Sequence, residues 1–357
     1  MLSDPAKLER DLLDSRGRAL RVTGDLDGAQ LLGPKLAVVN PPLWEIGHVS
    51  WFQERWCLRL RADGTLGESI LAGADALYDS AAVAHETRWS LPLPDLKATR
   101  AYGEAVLERV RERMVREPES AALQYFVRLA TYHEDMHAEA FHYTRQTLGY
   151  SEPDFEINVE NFGKEDLEFT GSAFLLGATP SDGFVFDNEK WAHEVKIAPY
   201  RIARSLVTNA EYLAFVEQGG AAPRYWKTRE GAWLERRFDR WLPLAPDQPV
   251  RHVSWNEVQA YCVWAKRRLP TEAEWECASP RLAYGQLWEW TASRFQPYPG
   301  FVVDPYKEYS EPWFGTHKVL RGGSFATPAR LMRPTFRNFY TAERGDVFCG
   351  FRTCALG

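Results

Sequence analysis

The sequence predicts a multidomain chain of α and α+β class, a four-helix bundle followed by a loop-rich mixed domain. Three observations lead there. With 357 residues the chain holds roughly two domains of about 150 residues each. Apolar residues recur at helical spacing up to Leu148 and in short alternating runs after Gly149. Ten of the 14 tryptophans lie after residue 160, so the two parts are packed differently.

In the first part, residues 4–22 place Leu8, Leu12, Leu13 and Leu20 on a helical repeat. Asn40-Pro41-Pro42 reads as a cap followed by proline at the first helical position, opening a helix with Trp44, His48, Phe52 and Trp56 at steps of four. A third helix is expected over 98–116 and a fourth over 120–148, stopped by Gly149. Ser151-Glu152-Pro153-Asp154 breaks the pattern, which sets the bundle at 1–150, a linker at 151–165 and the second domain at 166–357. There, Phe174-Leu175-Leu176, Val195-Lys196-Ile197 and Val319-Leu320 read as strands, and 208–218 and 255–267 as helices, the latter beginning just after Ser254.

Composition narrows the function. With 43 basic and 49 acidic residues the net charge is −6, so there is no cationic surplus to neutralise nucleic-acid phosphates. A hydrophobic share of 45 % with 26 % charged residues describes a folded globular chain. The N-terminus lacks the apolar run of a signal peptide and no 18-residue apolar stretch occurs, so a cytoplasmic protein without a membrane partner is expected. Five cysteines without a C-x-x-C pair argue against a disulfide framework or a zinc knuckle.

The histidines are the chemical feature of the first part. His133 and His137 lie four apart, on the helical stripe of Phe126, Ala130 and Phe141. Imidazoles on an inward stripe need partners for their nitrogens, and a divalent metal is one. His48, between Trp44 and Phe52, would alone read as a satisfied core histidine; with the other two it completes a three-histidine site with open positions for substrate and dioxygen. His133-Glu134-Asp135-Met136-His137 also spells H-E-x-x-H, the zinc-protease pattern with Glu134 as base. A metzincin would continue with Gly at 140 and His at 143, where the chain has Ala140 and Tyr143, and a thermolysin-like third ligand would have to be Glu156 or Glu160.

The second part carries four ordered motifs: Arg268-Leu269-Pro270-Thr271-Glu272-Ala273-Glu274-Trp275-Glu276, Leu287-Trp288-Glu289-Trp290-Thr291, Val319-Leu320-Arg321-Gly322-Gly323-Ser324-Phe325 and Cys349-Gly350-Phe351-Arg352. Together they resemble the formylglycine-generating-enzyme-like domain, a C-type-lectin-like fold. Gly47-His48-Val49 and the H-E-D-M-H run resemble the DinB-like four-helix bundle. The two in this order resemble the non-haem iron sulfoxide synthases of ergothioneine and ovothiol biosynthesis. The resemblance implies Fe(II) held by His48, His133 and His137, O₂ as co-substrate, and the histidine betaine hercynine gaining a carbon–sulfur bond. It further implies Tyr306 as donor of a proton or electron to reduced dioxygen, with Tyr309 beside it. Asn338 and Phe339 would hold the betaine, whose trimethylammonium suits an aromatic face, and Arg88 and Arg344 would grip the donor's carboxylates.

Two departures bear on the donor. Met136 stands where the bacterial ergothioneine enzymes have glutamine, and Tyr340 replaces the acid that pairs with the ammonium of γ-glutamylcysteine. Losing that contact should cost about 1.5–3 kcal/mol. A neutral sugar against Tyr340 loses nothing, which points to the selenoneine synthase branch, joining hercynine to 1-seleno-glucose through a selenoxide. Only ten residues separate Cys277 from Trp288, so a family loop is trimmed. The alternatives are a sulfoxide synthase using γ-glutamylcysteine or cysteine, an H-E-x-x-H zinc protease, and a non-catalytic lectin-like binding module.

Overall fold

A computed structural model describes residues 4–154 and 163–357, and the chain divides into two compact units, Met1–Asp154 and Phe155–Gly357. In the first, α1 (Pro5–Thr23) opens where the Asp4 carboxylate accepts from the Ala6 amide at 3.0 Å. α2 (Pro42–Glu54) runs into a single π-helical turn at Arg55–Arg59. α3 (Ala74–Tyr78) is a five-residue helix absent from the expected set. α4 (Leu96–Arg116) and α5 (Ala121–Leu148) are capped by the side chains of Asp95 and Ser120, and Gly149 closes α5 in the left-handed region at φ 69°.

Asn40 does not cap α2. Pro41 holds that position, and Asn40 Oδ1 instead accepts from the Arg88 guanidinium at 2.7 Å. α2 is also more central than a one-sided stripe suggests, because 12 of its 13 residues are buried. Its polar side chains therefore need partners inside the bundle. Glu54 accepts from Ser69 Oγ, the Ile70 amide and the Tyr102 hydroxyl, and Gln53 accepts from Arg16. Leu8, Leu12, Val106, Val110 and Val127 supply apolar packing from the surrounding helices.

The second unit begins with β1 (Asp166–Phe169), β2 (Ser172–Leu176), β3 (His193–Ile197) and β4 (Tyr200–Ala203). After α6 (Asn209–Glu217) come β5 (Trp226–Arg229), β6 (Ala232–Arg237) and β7 (Arg240–Pro243), an antiparallel meander. Then follow α7 (Trp255–Trp264), β8 (Arg267–Arg268) and α8 (Glu272–Ala278). The chain ends with β9 (Trp288–Arg294), β10 (Lys318–Arg321), β11 (Asn338–Tyr340), β12 (Cys349–Gly350) and β13 (Cys354–Ala355). Two four-stranded sheets result, ordered β1-β4-β13-β8 and β11-β10-β9-β12.

α7 stops three residues short of its expected end, because Lys266 turns left-handed at φ 53° and Arg267-Arg268 pair with β13. α8 lies outside the helices expected from the sequence; Thr271 and Glu274 cap it reciprocally. Trp275 and Trp290 are fully buried, with ring N–H groups donating to Glu289 Oε2 at 2.7 Å and the Val253 carbonyl at 2.9 Å. Charge is buried with them. Arg321 pairs with Glu276, Arg337 with Glu272 at 2.8 Å and Arg352 with Glu289 at 2.5 Å, all three guanidiniums being inaccessible to solvent. Among the described residues, no helix is long and apolar enough to cross a membrane.

Candidate metal centre

α2 delivers His48 and α5 delivers His133 and His137 to one point. Each offers a ligand atom, and the three atoms lie within 4.8 Å of one another. His133 Nε2 and His137 Nε2 are 3.2 Å apart, a spacing two ligands of one cation can adopt. The ring centroids of His48 lie 5.1 Å from His133 and 5.0 Å from His137.

The outer nitrogens fix the tautomers. His48 Nδ1 lies 2.8 Å from the Tyr78 carbonyl, which can only accept, so Nδ1 carries the proton and Nε2 keeps its lone pair. His137 Nδ1 lies 2.5 Å from Glu45 Oε1 and donates to that carboxylate in the same way. Rings hold the remaining faces: His133 stacks on Phe52 at 3.6 Å, and His48 on Trp44 at 4.8 Å. Burial, reinforced by repulsion from His137, pushes His48 and His133 well below the usual histidine range. They are neutral at neutral pH, the form that binds a metal. Three converging imidazoles, two of them donating Nδ1 outward so that Nε2 faces the others, fit a divalent transition metal, so the donor set is chemically consistent with iron.

The H-E-x-x-H glutamate is not at this point. Glu134 faces α1, where Arg16 Nε approaches Oε1 at 2.5 Å, and both side chains are buried. A carboxylate so committed cannot serve as the base of a zinc protease, which corrects that alternative. Glu156 and Glu160, the other acids it would need, lie outside the described residues.

The other expected site residues fall into two groups. In the first unit, Arg88 is 9 % exposed, bonded to Asn40 and the Val83 carbonyl, and lies 3.9 Å above the Trp44 ring. It buttresses the Trp44–His48 stack. Met136 is half-buried on α5. In the second unit, Tyr309 packs on Phe186 at 4.2 Å, with Tyr306 at 5.9 Å and Phe339 at 5.9 Å. Burial, then the nearby Glu189 carboxylate, pushes the Tyr309 phenol well above its ordinary value. Asn338 Oδ1 accepts from the Phe339 amide at 2.8 Å, and Phe339 stacks on Phe295 at 4.0 Å. Arg344 lies over Tyr340 at 4.9 Å while forking onto Asp346 at 2.6 and 2.7 Å.

Sequence reasoning missed Glu45 and Tyr78. Glu45 left one trace, an acid three residues before His48, flanked by the apolar Leu43, Trp44 and Ile46. Tyr78 left none, since it acts through its carbonyl.

The DinB superfamily matches residues 11–141, and the sulfatase-modifying factor enzyme 1-like domain matches 160–284 and 281–355. A hercynine oxygenase of Mycolicibacterium thermoresistibile is 31 % identical over 97 % of this chain and 94 % of that protein. One from Mycobacterium tuberculosis is 29 % identical over 98 % of this chain and 99 % of its own. Ergothioneine biosynthesis protein 1 of Schizosaccharomyces pombe is 29 % identical over 47 % of this chain and 27 % of its own length. A helical bundle with three converging histidines, a sheet-rich second unit with four spaced motifs, and similarity over nearly the whole length lead to one conclusion: the chain belongs to the hercynine oxygenase family.

Proposed function

We propose that this chain is an iron- and O₂-dependent oxidoreductase that joins hercynine to a selenosugar, 1-seleno-glucose, giving a selenoxide; selenoneine then forms outside the metal centre when the sugar is eliminated from selenium and the resulting selenenic acid is reduced by two thiols, which leave as a disulfide with water. The observation that carries the reading is the convergence of His48, His133 and His137, with two outer nitrogens donating to fixed acceptors. Iron(II) held there would supply electrons to dioxygen and a Lewis-acidic seat for an imidazole ring. The overall step balances: the ring C–H and the selenol Se–H are lost, one oxygen atom ends on selenium, and the other leaves as water. Tyr306 is the proton or hydrogen-atom donor, and Tyr309 holds it through ring contact. Asn338 and Phe339 bind the betaine, with the aromatic face taking the trimethylammonium.

Tyr340 supports the sugar donor. A phenol at that position offers no charge to an amino-acid ammonium, and the adjacent Arg344 is already matched by Asp346. The test starts anaerobically with Fe(II), hercynine and either 1-seleno-glucose or γ-glutamylcysteine, then admits air. Oxygen uptake with the selenosugar and a new carbon–selenium product are expected. Equal or better turnover with the peptide would replace the donor assignment by the sulfoxide-synthase alternative. Iron-loaded protein that consumes no O₂ with either donor would end the proposal.

A further inference from the structure

Glu45 lies one helical turn before His48, so both side chains leave α2 on the same side. Its carboxylate crosses to α5 and meets His137 Nδ1 at 2.5 Å, with only 2 % of the side chain accessible. Burying a carboxylate is costly unless it is matched. A strap between two helices would not need one: Ser15 reaches across from α1 to the Thr131 carbonyl on α5 with a neutral hydroxyl. The carboxylate is spent on a ring nitrogen whose partner nitrogen faces the other two histidines.

His48 and His137 are supported unequally: His48 donates to a neutral carbonyl and His137 to a carboxylate. A carboxylate acceptor pulls the Nδ1 proton and raises electron density at Nε2 more than a carbonyl does. Arg88, which lies over Trp44, also sits in the field of Glu45, and together they brace the α2 side of the cage.

We infer that Glu45 is a positioning residue for the metal: it fixes the tautomer and orientation of His137 and makes it a stronger electron donor than His48. Glu45 thereby sets divalent-metal affinity and lowers the reduction potential of bound iron. The inference rests on the three-histidine reading of the centre.

The test is cobalt(II) titration of the full-length protein, followed by its visible ligand-field bands, for wild type, Glu45→Gln and Glu45→Asp. Thermal melting of the metal-free proteins runs alongside. Glu45→Gln keeps the shape and an acceptor oxygen but loses the charge. It should melt close to wild type, bind Co(II) about 10–100-fold more weakly and show shifted bands. Glu45→Asp keeps the charge at shorter reach and should fall between the two. Wild-type affinity and unchanged bands in Glu45→Gln would overturn the inference. So would equal losses in both variants, which would assign the effect to packing. Wild-type protein that binds neither Co(II) nor Fe(II) would overturn the centre itself, a result distinct from the other two.

Discussion

Replacing Glu134 by alanine should weaken the first unit rather than remove a catalytic base. Arg16 Nε approaches Glu134 Oε1 at 2.5 Å and the second guanidinium nitrogen approaches Oε2 at 3.3 Å. The remaining Arg16 donors reach the Gly103 carbonyl at 2.8 Å and Gln53 Oε1 at 3.1 Å, and the Arg16 side chain is 9 % exposed. Without the carboxylate a buried cation keeps only neutral acceptors. Breaking a buried ion pair on one side costs about 3–5 kcal/mol, and the two surviving hydrogen bonds place this case near the lower figure. Each kcal/mol moves the midpoint of a unit this size by about 2–4 °C, so melting should fall by about 6–12 °C. Far-ultraviolet circular dichroism of the metal-free protein measures it. The double variant Arg16→Met, Glu134→Leu should recover most of the loss, because apolar groups of similar volume substitute for a buried pair at little cost. A Glu134→Ala protein that melts like wild type yet loses a peptidase activity would refute the reasoning and restore the protease.

Three further outcomes are expected. His142 is buried against the Ala138 carbonyl, and burial pushes it down to about 4. The unfolded chain therefore takes up that proton first, so stability is full above about pH 6.5 and falls toward pH 4, by about 3 kcal/mol in all. In His142→Gln, urea unfolding across that range should show a flatter pH dependence; an unchanged slope assigns it elsewhere. A Cβ on Gly47 would lie 2.3 Å from the Tyr78 ring, so Gly47→Ala must displace the residue whose carbonyl holds His48. It should cost about 1–3 kcal/mol and weaken Fe(II) binding, and an unaltered melting temperature would show that the contact yields freely. Tyr306→Phe should retain full iron content but change the product profile under O₂, and an unchanged profile removes its phenol from the chemistry.

Much of the first unit was legible because its signals are local. Asp4, Ser120 and Gly149 mark helix ends by chemistry that acts within one turn, and His133 with His137 needs only helical spacing. What was hidden depends on distant chain. Asn40 has the right chemistry for a cap, yet Arg88 claims its oxygen from 48 residues away. Glu45 meets a partner 92 residues on. α3 is too short for any periodic signal and is held by burial of Tyr78 against Gly47. In the second unit, the tryptophan excess was visible but its companion was not. Which arginine neutralises which glutamate follows from topology, since β9 lies between β10 and β12.

Those buried pairs also govern how the sequence can change. Glu272 and Glu276 belong to the first of the four motifs, Glu289 to the second, Arg321 to the third and Arg352 to the fourth, and the contacts run between motifs. Altering one letter strands a charge that another motif supplied, whereas exchanging both for apolar residues is close to neutral. Divergence in this domain should therefore proceed by joint replacement. A hybrid assembled from two relatives should fold only when the crossover keeps both halves of each pair from one parent or when both parents share that pair.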